Sequence, residues 1–520
     1  MVVNFICNKF AGLRENKAYF TSDIITANDI TNIELFYTGI NGGVGIRTAK
    51  GNVSIANIPE NERIVNIFKS IQGGSTYIFI HTISDTEGKL YLYDKTNSVF
   101  IPKITGLTKS TISSGVDFQQ GYSDLFLFCN GKDFIKKIEI GAETEVSDLN
   151  VQDDEKRDIK PNGLAVFNGR VFAFLDNRIH WSKQQDVSVW NGGNLEISTS
   201  AGYMEFPKTI TALTNYLNSL VVFFKDSSCI FSGEYPSFTV TEESPGGCSG
   251  NKALVFHGTD LFFFDYNKRS IYSFQQVVLG NKVLGKNIGE EVASYFQEID
   301  ASRLSEITAK SIIQDDRNEI WFLLPSTKTT TAYKIQEDKE IAETIDISLI
   351  LIYDVLRGEW VKRIEPKIYD FLQIDNIIYS GNKKLYIEYV GQSFDGYFIP
   401  CEYLCSNFNF GSNTSLKILY LSPRITVSNP YENTFWIDYI KNFGKRKKTK
   451  FIKAKYKDIA RWDKAIWDKS KWVNEQSDSL VKLPNISAFK NLDIRFFTKT
   501  RKENFAIQQL EMNQIDTIQT

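Results

Sequence analysis

The residue types that most often do chemistry are sparse in this chain and scattered along it. The histidines are His81, His180 and His257, each in or beside a hairpin pattern. None has a neighbouring Cys or acid at ligand spacing, so they read as packed or edge imidazoles rather than a zinc site. The six cysteines, Cys7, Cys129, Cys229, Cys248, Cys401 and Cys405, follow no framework spacing. They read as reduced structural thiols. Cys401 and Cys405 lack the second pair that a metal site would need. Gly42-Gly43, Gly73-Gly74, Gly192-Gly193 and Gly246-Gly247 read as turns. None belongs to a strand–GxGxxG–helix or GxxxxGK[ST] phosphate cradle.

Carboxylates give no firmer lead. Asp153-Asp154-Glu155 and Glu290-Glu291 are adjacent acids in polar stretches, the usual pattern of solvated side chains. Glycoside hydrolysis needs two acids facing one cleft from different segments. The sialidase repeat Ser-x-Asp-x-Gly-x-x-Trp is missing: Ser182 to Trp190 has the Ser and the Trp, with Asp and Gly out of place. The WD-type repeat is missing too. No catalytic residue, no metal and no cofactor is expected.

Two C-terminal segments stand out. Lys441, Lys445, Arg446, Lys447, Lys448, Lys450, Lys453, Lys455 and Lys457 form a basic run. It reads either as a solvated strand edge, where lysines deter aggregation, or as a contact for nucleic acid or an acidic protein surface. Phe451-Ile-Lys-Ala-Lys-Tyr-Lys alternates, which suggests a strand with one basic face. Trp462, Trp467 and Trp472 follow at spacing five. That spacing fits neither helix nor coiled coil, and Trp is enriched at interface hot spots. The candidate assembly interface is therefore Trp462, Trp467, Trp472, Lys445, Arg446, Lys447, Lys448 and Lys450.

The elements that would position these residues are strands. Apolar strand starts recur at Tyr77, Leu125, Val171, Leu220, Leu261, Ile320 and Ile377, in steps of 48, 46, 49, 41, 59 and 57 residues. Each copy is a turn, a strand rich in Phe, Leu, Ile and Val, a second turn and a second strand. A period near 45 built on a short antiparallel sheet points to a β-propeller of six to eight blades. Asn168-Gly169 is a favoured hairpin turn. Two steps are long because of insertions. Ile288 to Ile299 has helical apolar spacing, and Ser326 to Glu343 reads as a long exposed loop. Residues 1–60 form an N-terminal β segment, 61–395 the propeller, and 396–520 a C-terminal β-rich domain carrying the basic and Trp-rich segments. The expected fold is all-β: a propeller, a further β-rich domain built from the N- and C-terminal segments, and one inserted helix near 288–300.

Composition agrees. Phe (38) and Tyr (24) are abundant, as strands favour, and Met (3) is scarce. Lys+Arg (60) nearly balance Asp+Glu (62), so bulk charge names no partner. Met1 to Phe10 lacks a basic region followed by an apolar stretch, so no secretory signal is expected. No run approaches the roughly 20 apolar residues that span a bilayer.

Three stretches resemble the tail-nozzle (tail-hub) proteins of short-tailed bacteriophages, the packaged-DNA stabilisation or tubular tail group. They are Asn168-Gly-Arg-Val-Phe-Ala-Phe-Leu-Asp-Asn-Arg-Ile-His-Trp-Ser with Trp190 after it; Ile288 to Pro325 and on to Leu351-Ile-Tyr-Asp354 with Trp360; and Ile33-Glu-Leu-Phe-Tyr-Thr-Gly with Gly45-Ile-Arg. The WDxxxWDxxxW segment also resembles phage tail proteins, and the Lys-, Asn- and Ile-rich composition fits an AT-rich, crAss-like phage genome. The basic run has no counterpart in the resemblance.

The resemblance implies a structural virion protein. It would form a ring, a homohexamer, in the viral tail below the portal–adaptor ring, extending the DNA-ejection channel and helping retain packaged DNA. Its partners would be other copies of itself, the portal–adaptor ring, other tail or fibre proteins, and genomic DNA in transit. It would be assembled in the host cytoplasm and located in the virion. A conduit should not grip DNA, so the basic run is expected to face a neighbouring protein or the outside. Two other readings stay open: a propeller receptor- or glycan-binding protein at the tail tip, and a propeller hydrolase.

Overall fold

The computed structural model describes residues 3–7, 9–14, 24–38, 43–140, 144–192, 200–234, 237–241, 244–276, 283–314, 317–336, 339–408, 416–428, 433–442, 444, 446–454, 476–480, 486–489, 491–500 and 503–517. The chain divides into two compact units: residues 54–326 with 367–388, and residues 1–53 with 327–366 and 389–520.

The first unit carries a seven-bladed β-propeller. The first blade is Arg63–Gln72, Ser75–Ile83, Glu87–Asp94 and Val99–Thr108, and the second is Ser114–Gln120, Ser123–Cys129, Ile135–Ile140 and Thr144–Leu149. The third is Gly163–Phe167, Arg170–Leu175, Arg178–Trp181 and Gly202–Glu205. The fourth opens with Ala212–Tyr216, Ser219–Phe223 and Ser227–Ser232. The fifth is Leu254–His257, Asp260–Asp265, Ser270–Gln276 and Val283–Asn287. The sixth begins with Thr308–Gln314 and Arg317–Leu324. The seventh is Asp370–Ile374, Ile377–Gly381 and Lys384–Glu388, completed by Asn52–Asn57 from the start of the chain.

All seven apolar starts read from the sequence fall in the second strand of a blade. The reason is packing. Sheets stacked face to face bury both sides of that strand, so Leu125, Phe126, Leu127 and Phe128 are all buried and polar alternation disappears. The core lies between consecutive sheets. Phe79 of the first blade stacks on Phe126 of the second, with ring centroids 4.5 Å apart and planes 2° apart. Offset pairs of this kind contribute about 0.5–1.5 kcal/mol beyond their burial. Ile58, Ile64, Ile67 and Ile80 pack with Ile374, Tyr379 and Leu385, joining the seventh blade to the first. A Cβ at Gly381 would lie 2.5 Å from Ile64 Cδ1, so a larger residue would force Ile64 to shift where these two blades meet. The Asn168-Gly169 turn has φ of 49° and 67°, as a type I′ turn demands. The inserted helix is real but short: a 3-10 turn, Glu290–Val292, runs into Ala293–Gln297, with Val292, Phe296 and Ile299 buried.

The second unit is built on a 13-stranded sheet that mixes both ends of the chain. Its order begins at the edge strand Arg446–Ala454 and passes through Asn433–Lys441, Leu492–Phe497 and Glu402–Phe408. It then enters the N-terminal strands Ile24–Thr31, Lys9–Leu13 and Val44–Thr48, and returns to Ala506–Thr517, Leu416–Ser428 and Gln476–Leu480. Tyr403 pins the junction. Its hydroxyl donates at 2.8 Å to the Ala11 carbonyl and lies 3.1 Å from that of Ile25.

The stretch Ser326 to Glu343 corrects the loop expected there. Thr329–Gln336 pairs in antiparallel register with Lys339–Asp346. β-branched Thr and Ile favour this ribbon. It leaves most of its side chains in solvent on both faces, so no apolar alternation marked it in the sequence.

Candidate functional site

The first strands of successive blades run beside one another around the propeller axis. Polar side chains on them latch one blade to the next. The first residue of the seventh blade's first strand, Asp370, accepts the Ile67 N–H of the first blade at 2.7 Å. Ser114, at the same position in the second blade, accepts the Leu164 N–H of the third at 3.2 Å. The fourth residue of the strand reaches the preceding blade. Asp117 accepts the Ile71 N–H at 2.8 Å, Gln373 accepts the Ile313 N–H at 2.7 Å, and Asn215 donates to the Val166 carbonyl. These residues are polar positions in the first strands of their blades, and their polarity is the one signal the sequence offers for them.

A polar group reaches across the axis. Lys252 sits in the turn Asn251–Ala253 that leads into the fifth blade, and its Nζ donates to the Val65 carbonyl of the first blade at 3.1 Å. Three steps separate these blades in a ring of seven, so the side chain reaches across the axis. Burial pushes the Lys252 ammonium down to about 8, with Asp370 opposing and Lys310 adding to the shift. Below it, Asn66 donates to Ser113 Oγ at 2.7 Å, and Ser113 Oγ lies 2.9 Å from His81 Nδ1. Asn66 already supplies one donor to that oxygen. Its second lone pair or its own proton can serve the His81 contact, and His81 Nε2 has no hydrogen-bond partner among the described residues. His81 is fully buried, and burial, reinforced by the Lys252 charge, pushes it down to about 3. It is a neutral packed imidazole, with its ring edge against Phe128. His180 and His257 are buried as well, and burial lowers both.

Lys252 gives a pH signature of known sign. Between about 8 and its ordinary value of 10.5 the unfolded chain holds a proton that the folded chain has released, so unfolding takes up protons and stability rises with pH. The stability of the wild type relative to Lys252→Met is expected to increase across that window in denaturant titrations. A constant difference would show that Lys252 keeps its charge at no cost.

The sequence-derived interface is only partly within the described residues. Trp462, Trp467, Trp472 and Lys445 lie outside them, and Arg446 is described in its backbone alone. Lys447, Lys448 and Lys450 lie on Arg446–Ala454, which pairs with Asn433–Lys441 and is the edge strand of the large sheet among the described residues. The basic face expected over 451–457 lies mostly outside the described residues; along 447–452 the two-residue period of a strand divides the lysines. Lys447 shares a face with Thr449 and Phe451, while Lys448 and Lys450 share the other with the buried Ile452. Lys447 is held by the buried Asp438 at 2.8 Å, and that carboxylate also accepts from Thr449 at 2.7 Å and meets Arg495 at 3.5 Å. Lys448 and Lys450 make no ion pair among the described residues.

The stretches that carried the phage resemblance take packing roles. Arg170 is buried and donates to the carbonyls of Ser182 and Ser200 at 2.8 and 2.7 Å. Arg178 is gripped by Asp153, Glu155 and Glu205 at 3.0–3.4 Å. Trp190 and Trp360 are buried, and Glu34 pairs with Arg47 at 2.9 Å. Among the described residues no group of three His, Cys, Asp or Glu could hold a metal ion, and no helix is long and apolar enough to cross a membrane. All six cysteines are buried.

No family model and no curated protein matches this sequence. Among solved structures, the chain is similar to a candidate 6-phosphogluconolactonase from Bacteroides fragilis, at 9% identity and a TM-score of 0.35, over 62% of this chain and 88% of that one. It is also similar to a chain of a nidogen/laminin complex, at 10% identity and a TM-score of 0.28, over 58% of this chain and 98% of that one. At such scores neither likeness carries an argument about function.

Proposed function

We propose that this protein is a structural component of a short-tailed phage virion. It forms a ring in the tail that extends the DNA-ejection channel below the portal and adaptor, helps retain packaged DNA, and performs no catalysis. The observation that carries the reading is the basic edge strand Arg446–Ala454. Its lysines are divided between two faces and one of them is neutralised by Asp438, so they form no continuous stripe that could track a phosphate backbone. Among the described residues no strand pairs along its outer side, and an open strand edge is a template for another protein chain. Lys252 reaches across the propeller axis, so a DNA path runs between subunits and not through one. Closed rings arise when one patch binds a different patch on the next copy. The seven stacked blades supply a stiff block for such a ring.

Two measurements test this. Immunogold or negative-stain imaging of particles from the phage that encodes the chain should place it in a ring beneath the portal; distal fibres would instead support the receptor-binding reading. The purified protein should bind duplex DNA weakly, and Lys447→Ala/Lys448→Ala/Lys450→Ala should leave that binding unchanged. Tight binding that falls steeply with salt and disappears in the triple variant would overturn the outward placement of the run.

A further inference from the structure

Among the described residues, the second unit carries another open edge, of opposite charge. In the ribbon, Lys339–Asp346 pairs along one side with Thr329–Gln336. The same strand continues to Asp354, where it pairs with Glu359–Pro366 on its other side, but that pairing stops at Ile347. Ile347 N–H donates to the Lys328 carbonyl at 3.1 Å. Alternation along the strand then turns the N–H and C=O groups of Glu340, Ala342, Thr344 and Asp346 toward the open side. All eight residues but Ile345 are exposed, and Ile341 is 45% exposed. A two-stranded ribbon wet on both faces is marginally stable by itself, and an edge that includes an exposed isoleucine invites pairing. Glu340, Glu343 and Asp346 outweigh Lys339 on it.

We propose that this acidic edge adds to the basic edge Arg446–Ala454 of a second copy of the chain, continuing that copy's large sheet by one strand. The segments match in length, at eight and nine residues. Main-chain hydrogen bonds supply affinity in such strand addition, and the side chains supply selection. Here selection is by charge: lysines on one edge repel a second basic edge and accept an acidic one. The two surfaces differ, so the contact is head-to-tail and propagates from copy to copy. The ring proposed above requires this type of contact, and the inference rests on that reading for its closure.

The test follows self-association of the full chain by analytical ultracentrifugation at low and high salt. Wild type should associate, more weakly as salt rises. Glu340→Lys/Glu343→Lys/Asp346→Lys should weaken association by roughly tenfold or more, as should Lys447→Glu/Lys448→Glu/Lys450→Glu. Mixing the two charge-reversed variants should restore association between them, because each then offers the other a complementary edge. Thr344→Pro removes an open-side N–H without touching the ladder to Thr329–Gln336, and should block association while the circular dichroism melt stays unchanged. Association indifferent to all these variants would overturn the edge pairing and leave the ring reading standing. A wild type that stays monomeric at every concentration would overturn both.

Discussion

Acidification from pH 7 to pH 4 should cost the propeller about 3 kcal/mol through His81 alone. In the unfolded chain this imidazole takes up a proton as pH falls through its ordinary value of 6.5; in the folded protein burial and the nearby Lys252 charge delay protonation to about 3. The unfolded state therefore binds more protons throughout that window. The stability contributed by neutral His81 is fully present above 6.5 and is lost progressively as pH falls toward 3. His180, pushed down to about 4, adds in the same direction. Denaturant melts of the wild type and of His81→Gln at several pH values check this: the wild type should lose its advantage as pH falls, because glutamine has no proton to gain. Parallel pH profiles would show that the His81 pocket opens to water or supplies a partner for the imidazolium.

Arg363→Met should destabilise the second unit by about 3–5 kcal/mol, the usual cost of leaving one member of a buried ion pair without the other. Arg363 and Glu365 are two residues apart on the strand Glu359–Pro366 and so share a face, with side-chain exposures of 2% and 0%. The guanidinium donates through Nε to Glu365 at 2.8 Å and through Nη1 to the Lys50 carbonyl at 2.9 Å. It also lies over the rings of Tyr389 and Phe394, at 5.2 and 4.8 Å. Methionine fills much of the same volume and leaves the carboxylate buried without its cation. The double variant Arg363→Met/Glu365→Met should recover most of the loss, since an apolar pair of similar size is often as stable as the ions it replaces. Thermal and denaturant unfolding of the three proteins decide it. A double variant no more stable than Arg363→Met would mean that the polar contacts of Glu365, and not the pairing, dominate.

The repeat was legible because blade packing leaves a simple mark. A strand between two stacked sheets is apolar on both faces, so Leu125-Phe-Leu-Phe or Leu261-Phe-Phe-Phe stands out wherever it occurs. The seven marks fall one in each blade of the structure, and the short helix was found by its own periodicity. The ribbon Thr329–Asp346 left no such mark, because a strand wet on both faces has no apolar pattern to read. The axial centre was invisible for another reason. Asp370 meets an N–H 303 residues away, and Lys252 a carbonyl 187 residues away. No local spacing encodes contacts that depend on the ring closing.

By itself, the sequence determined the all-β class, the propeller repeat, the inserted helix and the burial of histidine and cysteine, because each depends on which faces of a segment are dry. Only the tertiary structure decided the blade number of seven, the strand order by which the two chain ends, expected to build one domain, share a single sheet, the reach of Lys252 across the axis, and the place of the basic run as an edge strand with its charges on opposite faces. Those properties come from which segments lie side by side, and in a fold held by pairings hundreds of residues apart that information resides in closure and register.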